Sequence, residues 1–315
     1  MNTIQRTLLL SGVTVAFLAV MGSVDRTDSN KEDEVESNKA SAFGQHYHIA
    51  SPPIPKAPVF AGEVMPVQQP DVKERLEREL LVNTYWQSNT SLLIKRAGAY
   101  FPIIEPILAE EGVPEDFKYL AMAESGLTQA KSPAGARGFW QFLTTTGKSY
   151  GLEIRNGLDE RYHIEKSTRA ACEYLKKAKE QFGTWTLAAA AYNRGENGLS
   201  RALSDQHVKS YYDLYLNPET ARYVYRIVAL KYIYSTQEDY GFHIGKEEYY
   251  TLPNTYLEKV DKTIEDLPKW AIERGTNYKV LRSLNPWIRS YELTVPASKV
   301  YYLKMPELEL NAEDE

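Results

Sequence analysis

From about Val72 to Ile244 the apolar residues recur at helical spacing almost without a break, and this restricts the chain more than any other feature. Residues 164–182 (IEKSTRAACEYLKKAKEQF) and 219–234 (ETARYVYRIVALKYIY) repeat hydrophobic positions every three to four residues, so each would bury one face. Gly183, Gly195 and Gly198 stand where such helices would stop, because glycine enters the left-handed conformation that closes a helix at little cost. The expected fold is therefore mainly α, with an all-α domain over residues 72–245. Beyond Glu247 the pattern changes. Tyr256 to Val260 and Lys299 to Met305 alternate like strands, while residues 263–274 and 278–284 read as helices. A small α+β module is expected over 246–310, followed by an acidic tail at 311–315.

The first seventy residues read differently. Residues 8–24 (LLLSGVTVAFLAVMGSV) carry no charge and follow Arg6, so 1–24 is a signal peptide or a membrane anchor. Either way the chain is exported, to the periplasm or cell envelope, and meets a membrane through this segment if it is uncleaved. No cysteine follows the apolar run, which excludes a lipoprotein. Residues 25–71 are charged at first and then hold Pro52, Pro53, Pro55, Pro58, Pro66 and Pro70, the composition of a disordered tether.

Several classes of function drop out on composition. Lys and Arg number 37 against 42 Asp and Glu, a net charge of -5, so no nucleic-acid partner is expected. Cys172 is the single cysteine, which rules out an intramolecular disulfide and a thiolate cluster; among Ala170, Ala171 and Leu175 it reads as a buried thiol. His46 and His48 form an isolated H-x-H pair, and no HExxH string occurs. Neither a metal nor a cofactor is expected. The 23 tyrosines and five tryptophans suit both packing and sugar contact.

One carboxylate sits where a helix should bury hydrocarbon. Val113-Pro114-Glu115-Asp116 reads as a helix start and Gly126 as its stop. Phe117, Leu120 and Ala121 then share a face, and Glu124 falls on the same stripe one turn later. An inward carboxyl at a helix C-terminus is destabilised as an anion by burial and by the helix dipole, so its pKa should rise into the range of a general acid. A buried ion pair with an arginine such as Arg137 would account for the position equally well.

Three other stretches carry residues that a plain core would not choose. Residues 132–142 (SPAGARGFWQF) form a glycine-punctuated loop entering a helix. Thr184 to Asn193 runs through four alanines into Tyr192-Asn193 and Gly195, and Glu219-Thr220-Ala221-Arg222-Tyr223 opens a long helix. In this order and spacing, E-S-G-L at 124–127, S-P-A-G-A-R-G-F-W-Q-F at 132–142, A-Y-N-R-G at 191–195 and E-T-A-R-Y-V at 219–224 resemble the lytic murein transglycosylases with the lysozyme-like domain. Within that group they are similar to the membrane-bound type D branch, where Gly-x-Trp-Gln-Phe replaces Gly-Leu-Met-Gln. The resemblance covers roughly residues 85–240.

It implies that Glu124 is the catalytic acid and then base, and that Ser125 supports local geometry. Ser132 and Gln141 would hydrogen-bond the sugar, Tyr192 and Asn193 would line the site, and Tyr223 matches the tyrosine of the last motif. Trp140 would either grip sugar or belong to the core. The implied reaction cleaves the β-1,4 bond between N-acetylmuramic acid and N-acetylglucosamine in peptidoglycan strands, closing a 1,6-anhydro ring with the substrate's own C6 hydroxyl. Residues 257–306 more loosely resemble a LysM glycan-binding module. A monomer is expected. The rival readings are a hydrolytic muramidase of the same fold, with Asp159 or Glu219 directing water, and a catalytically silent peptidoglycan-binding scaffold.

Overall fold

The computed structural model of the protein describes residues 50–307. The expected signal or anchor, the first part of the expected tether, His46, His48 and the acidic tail lie outside the described residues. No helix among the described residues is long and apolar enough to cross a membrane.

The chain first forms a short hairpin, β1 (Val59–Phe60) with β2 (Glu63–Val64). Helices α1 (Pro70–Tyr85) and α2 (Gln87–Glu110) follow, then a 3-10 turn (Glu115–Phe117) leading into α3 (Lys118–Ser125). After α4 (Thr144–Ser149) comes the hairpin β3 (Ile154–Arg155) with β4 (Leu158–Asp159). Next come α5 (Ile164–Phe182), α6 (Trp185–Arg194), α7 (Glu196–Gln206) and α8 (Pro218–Ser235). A compact βααβ unit closes the chain: β5 (Thr255–Val260), α9 (Leu267–Ile272), α10 (Tyr278–Leu284) and β6 (Tyr301–Pro306). Its strands pair antiparallel, Thr255 opposite Pro306 and Val260 opposite Tyr301. The mainly α domain with a small α+β module is thus the architecture observed.

Helix α6 occupies the middle of the helical part because Ala188 to Ala191 present almost no side-chain bulk. All four are fully buried, and α6 packs against both α5 and α8. Thr184 caps it by accepting from the Leu187 amide at 3.1 Å. Gly183 (φ 85°) and Gly195 (φ 82°) close α5 and α6 as expected. Gly198 does not end a helix: it lies inside α7, where its carbonyl accepts from Arg194 Nε at 3.1 Å. A Cβ at that position would stand 3.2 Å from Arg194 Cγ, so the small residue makes room for the arginine stem.

From residue 51 onward the proline-rich stretch is packed against the helices and is not a disordered tether. Phe60 and Met65 are buried in the main core, and the Phe60 ring meets Phe117 edge-on at 5.2 Å. The Glu63 carboxylate caps α6 by accepting from the Trp185 and Thr186 amides at 2.6 and 2.9 Å. The Ala61 amide donates to Asp116 at 2.7 Å, and the Tyr240 hydroxyl donates to the Pro53 carbonyl at 3.0 Å. A few anchors suffice because proline has already removed much of the conformational freedom that ordering would cost.

The βααβ unit builds its own core from Val260, Leu267, Ala271, Leu281, Leu303 and Met305, and that core also takes in Leu158 and Tyr162 from the helical part. Two backbone bonds at 2.8 Å fasten the join, Asp159 amide to Trp287 carbonyl and Arg289 amide to Gly157 carbonyl. Lys304 pairs with Glu165 beside His163. Burial would raise the Glu165 carboxyl, but these two partners outweigh it and hold it at about 2. The chain before the unit is itself seated on α2, since Tyr250 donates its amide to the Lys95 carbonyl at 2.9 Å. Truncation after Leu252 should therefore leave a folded helical domain but uncover Leu158 and Tyr162, at a cost of about 3 kcal/mol. Urea midpoints of the full and truncated chains measure this, and equal midpoints would show that the join contributes nothing.

Candidate active site

Helix α3 ends as its sequence requires, with Gly126 in the left-handed conformation (φ 61°) and its amide bonded to the Met122 carbonyl. Phe117, Leu120 and Ala121 are fully buried, and Glu124, on their stripe, retains only part of its surface to solvent. Its partner is a tyrosine, not Arg137. The buried Tyr223 hydroxyl donates to Glu124 Oε1 through a short hydrogen bond, which leaves Oε2 to carry a proton. Burial is the main influence on this carboxyl and raises it. The Tyr223 bond and the charge of Arg226 pull it down, Glu219 pushes it up, and it comes to rest at about 7. A carboxylic acid with that pKa can both donate and recover a proton near neutrality.

The glycine-punctuated loop is held by a buried ion pair. Arg161, 3% exposed, engages both oxygens of Asp159, Nε to Oδ1 at 2.9 Å and Nη2 to Oδ2 at 2.7 Å. Its Nη1 donates to the carbonyls of Gly135 and Phe142, each at 3.1 Å, so one guanidinium ties the early part of the loop to its end. Gly138 (φ 78°) must be glycine, since a Cβ there would lie 1.9 Å from the Arg161 carbonyl oxygen. Arg137 lies 3.9 Å from Asp159.

This anchorage presents Gln141 in a strained conformation (φ 49°), a cost of about 1–2 kcal/mol for a residue with a Cβ. Its Nε2 donates to the Gly138 and Ala130 carbonyls at 2.7 and 3.2 Å, so Oε1 is the free end of the amide. Gln141, Tyr192 and Asn193 line one groove of about 230 Å³, together with Phe142, Tyr174 and Arg194. The Tyr192 hydroxyl donates to the Trp140 carbonyl at 2.6 Å. Burial first and then the charge of Glu124 push the Tyr192 hydroxyl well above its ordinary value, which puts the groove within electrostatic reach of the acid.

Of the remaining expected residues, Ser132 accepts from the Ala136 amide at 3.0 Å within its own turn, and Ser125 donates back to the Ala121 carbonyl at 3.1 Å. Trp140 is a core residue, fully buried with its Nε1 donating to Thr168 at 2.9 Å. Cys172 is buried, and burial pushes its thiol up to about 12. Among the described residues no three His, Cys, Asp or Glu side chains are grouped to hold a metal. Arg226 escaped the sequence reading, although its spacing of three from Tyr223 places both on one face of α8.

Tyr223→Phe isolates the hydrogen bond that most opposes protonation of Glu124. Its loss should move the alkaline limb of the pH–rate profile upward and lower kcat about tenfold, since the developing carboxylate loses its donor. An unmoved limb would show that Tyr223 only fills space.

Residues 101–215 match the family described as Transglycosylase SLT domain, and residues 256–309 match the Soluble lytic transglycosylase C-terminal LysM-like domain. The chain carries both domains, in that order. The first match contains Glu124, Gln141 and Tyr192 and ends before Tyr223. The chain is also 26% identical over 258 residues to the membrane-bound lytic murein transglycosylase D of Escherichia coli K12, covering 79% of this chain and 55% of that protein. The protein of the same name from Escherichia coli O6:H1 matches to the same extent. The chain thus spans about half the length of the curated relatives it matches.

Proposed function

We propose that this chain, with an SLT domain followed by a LysM-like domain, is a lytic transglycosylase of the peptidoglycan in the cell envelope. It cleaves the β-1,4 bond between N-acetylmuramic acid and N-acetylglucosamine. The observation that carries this reading is the Glu124 carboxyl, poised at about 7, bound by Tyr223 on one oxygen and free on the other. Glu124 protonates the glycosidic oxygen as the bond breaks. The carboxylate that results, steadied by the Tyr223 hydroxyl and the charge of Arg226, then takes the proton of the muramic C6 hydroxyl, and C6 oxygen closes on C1. The nucleophile is already tethered to the reacting carbon, so effective concentration replaces an activated water. Gln141 Oε1 accepts from a sugar hydroxyl or amide, Tyr192 and Asn193 wall the groove, Ser125 bonds back within the helix that carries Glu124, and Ser132 holds the turn that leads to Gln141. The βααβ unit binds glycan beside the site. The enzyme acts as an exported monomer, attached to the membrane if residues 1–24 are retained.

A hydrolytic muramidase of the same fold is the second reading, and one observation favours it: the charge of the exposed Glu219 reaches Glu124. Asp159 is a poorer base for water because both its oxygens are engaged by Arg161. Digestion of purified sacculi followed by mass measurement decides between them. Transglycosylation leaves muramic ends one water lighter than hydrolysis does, and a silent scaffold releases no product at all.

A further inference from the structure

A second pocket, of about 270 Å³, shares no lining residue with the Gln141–Asn193 groove. It is walled by the end of α1, the start of α2, the last turn of helix α3 with Gly126, and α8. Glu79 lies at its base, 1% exposed. Glu79 Oε1 accepts from Arg78 at 2.6 Å and from Arg222 Nε at 2.7 Å, whereas Oε2 is buried without a hydrogen bond and has Arg226 Nε at 3.8 Å. One carboxylate against three guanidinium groups leaves an excess of two positive charges. Arg222 and Arg226 approach Glu79 through Nε, and their terminal nitrogens make no hydrogen bond among the described residues. Both side chains remain about one-third exposed, and Trp86 stands at the rim, 58% exposed.

A buried carboxylate surrounded by more cations than it can satisfy orders those cations and leaves their outer edges for another anion. Two ordered guanidinium forks match the planar geometry of a carboxylate. The pocket also adjoins the acid, since Ala123 precedes Glu124 in the chain and the charge of Arg226 acts on the Glu124 carboxyl. We propose that Arg222 and Arg226 form a subsite for a carboxylate of the substrate, borne on the muramic acid next to the scissile bond. This rests on the peptidoglycan reading. On that polymer the group is either a carboxylate of the stem peptide or, where the peptide has been removed, the lactyl carboxylate itself.

Equilibrium binding to the full chain carrying Glu124→Gln, which removes turnover, tests the proposal with two pairs of glycan oligosaccharides. One pair bears stem peptides with free or methylamidated carboxylates, and the other is peptide-free with the lactyl carboxylate free or methylamidated. Amidation should weaken binding about tenfold in one pair, and that pair identifies the source. Arg222→Lys keeps a charge against Glu79 but loses the fork, so it should bring the acid-to-amide ratio towards one. If that variant does not fold, Arg226→Lys makes the same measurement. Equal affinities within both pairs, or a ratio that the lysine variant leaves unchanged, overturn the proposal. Cleavage of the same oligosaccharides by the unaltered enzyme is read separately, so absence of turnover counts against the transglycosylase reading and not against the subsite.

Discussion

Glu124→Gln should abolish turnover on sacculi, by at least about a thousandfold, and at the same time stabilise the fold at alkaline pH. The first effect follows from chemistry, since an amide keeps the shape and can still accept from Tyr223 but cannot deliver a proton. The second follows from linkage. The Glu124 carboxyl rises from an ordinary 4.5 to about 7 on folding, so the folded chain holds that proton more tightly than the unfolded one. Its contribution to stability is complete below about 4.5 and is lost as the pH rises through about 7. Glutamine carries no such term. The variant and the parent should melt together near pH 4, and the variant should gain about 2 kcal/mol by pH 8, a value reduced from the full linkage because water reaches part of the residue. Denaturant titrations at the two pH values measure it. Near-normal activity would remove Glu124 from the mechanism, and a variant that fails to fold would mean the residue serves as a structural ion.

Much of this site was legible in the chain because the information is local. Helical period alone places Glu124 on the stripe of Phe117, Leu120 and Ala121, and burial with the helix dipole predicts the direction of its pKa. Tyr223 came through the resemblance only as the tyrosine of a motif, and its bond to Glu124 was illegible because a contact across 99 residues leaves no periodic trace. The hold of Arg161 on the Gly135 and Phe142 carbonyls was illegible for a related reason: backbone acceptors carry no residue-type signature. The proline-rich segment misled because its order rests on a few individual anchors, Phe60, Glu63 and Met65, and composition averages them away. Gly198 misled because a glycine that ends a helix and one that yields space to a neighbouring side chain look alike in a string of letters. The gathering of Arg222 and Arg226 over Glu79 was illegible for the same reason as the Tyr223 contact, since Arg222 and Glu79 stand 143 residues apart.

The sharpest result should come from the origin of the attacking oxygen. Both rival mechanisms begin with the same proton transfer from Glu124, so substitution there cannot separate them. They part at the next step, where hydrolysis requires a carboxylate about 5–9.5 Å from the acid to act as nucleophile or to direct water. Asp159 is saturated by Arg161, and Glu219 stands exposed in the first turn of α8. The intramolecular route needs neither. Digestion in isotopically labelled water should therefore leave the new muramic ends unlabelled, and a substrate blocked at the muramic C6 hydroxyl should bind yet resist cleavage almost completely. Glu219→Gln should then retain turnover with unlabelled ends, its main consequence being a small downward shift of the alkaline limb as a neighbouring negative charge is removed. Label in most of the reducing ends, abolished by Glu219→Gln, would identify Glu219 as the base for water and make the enzyme a muramidase.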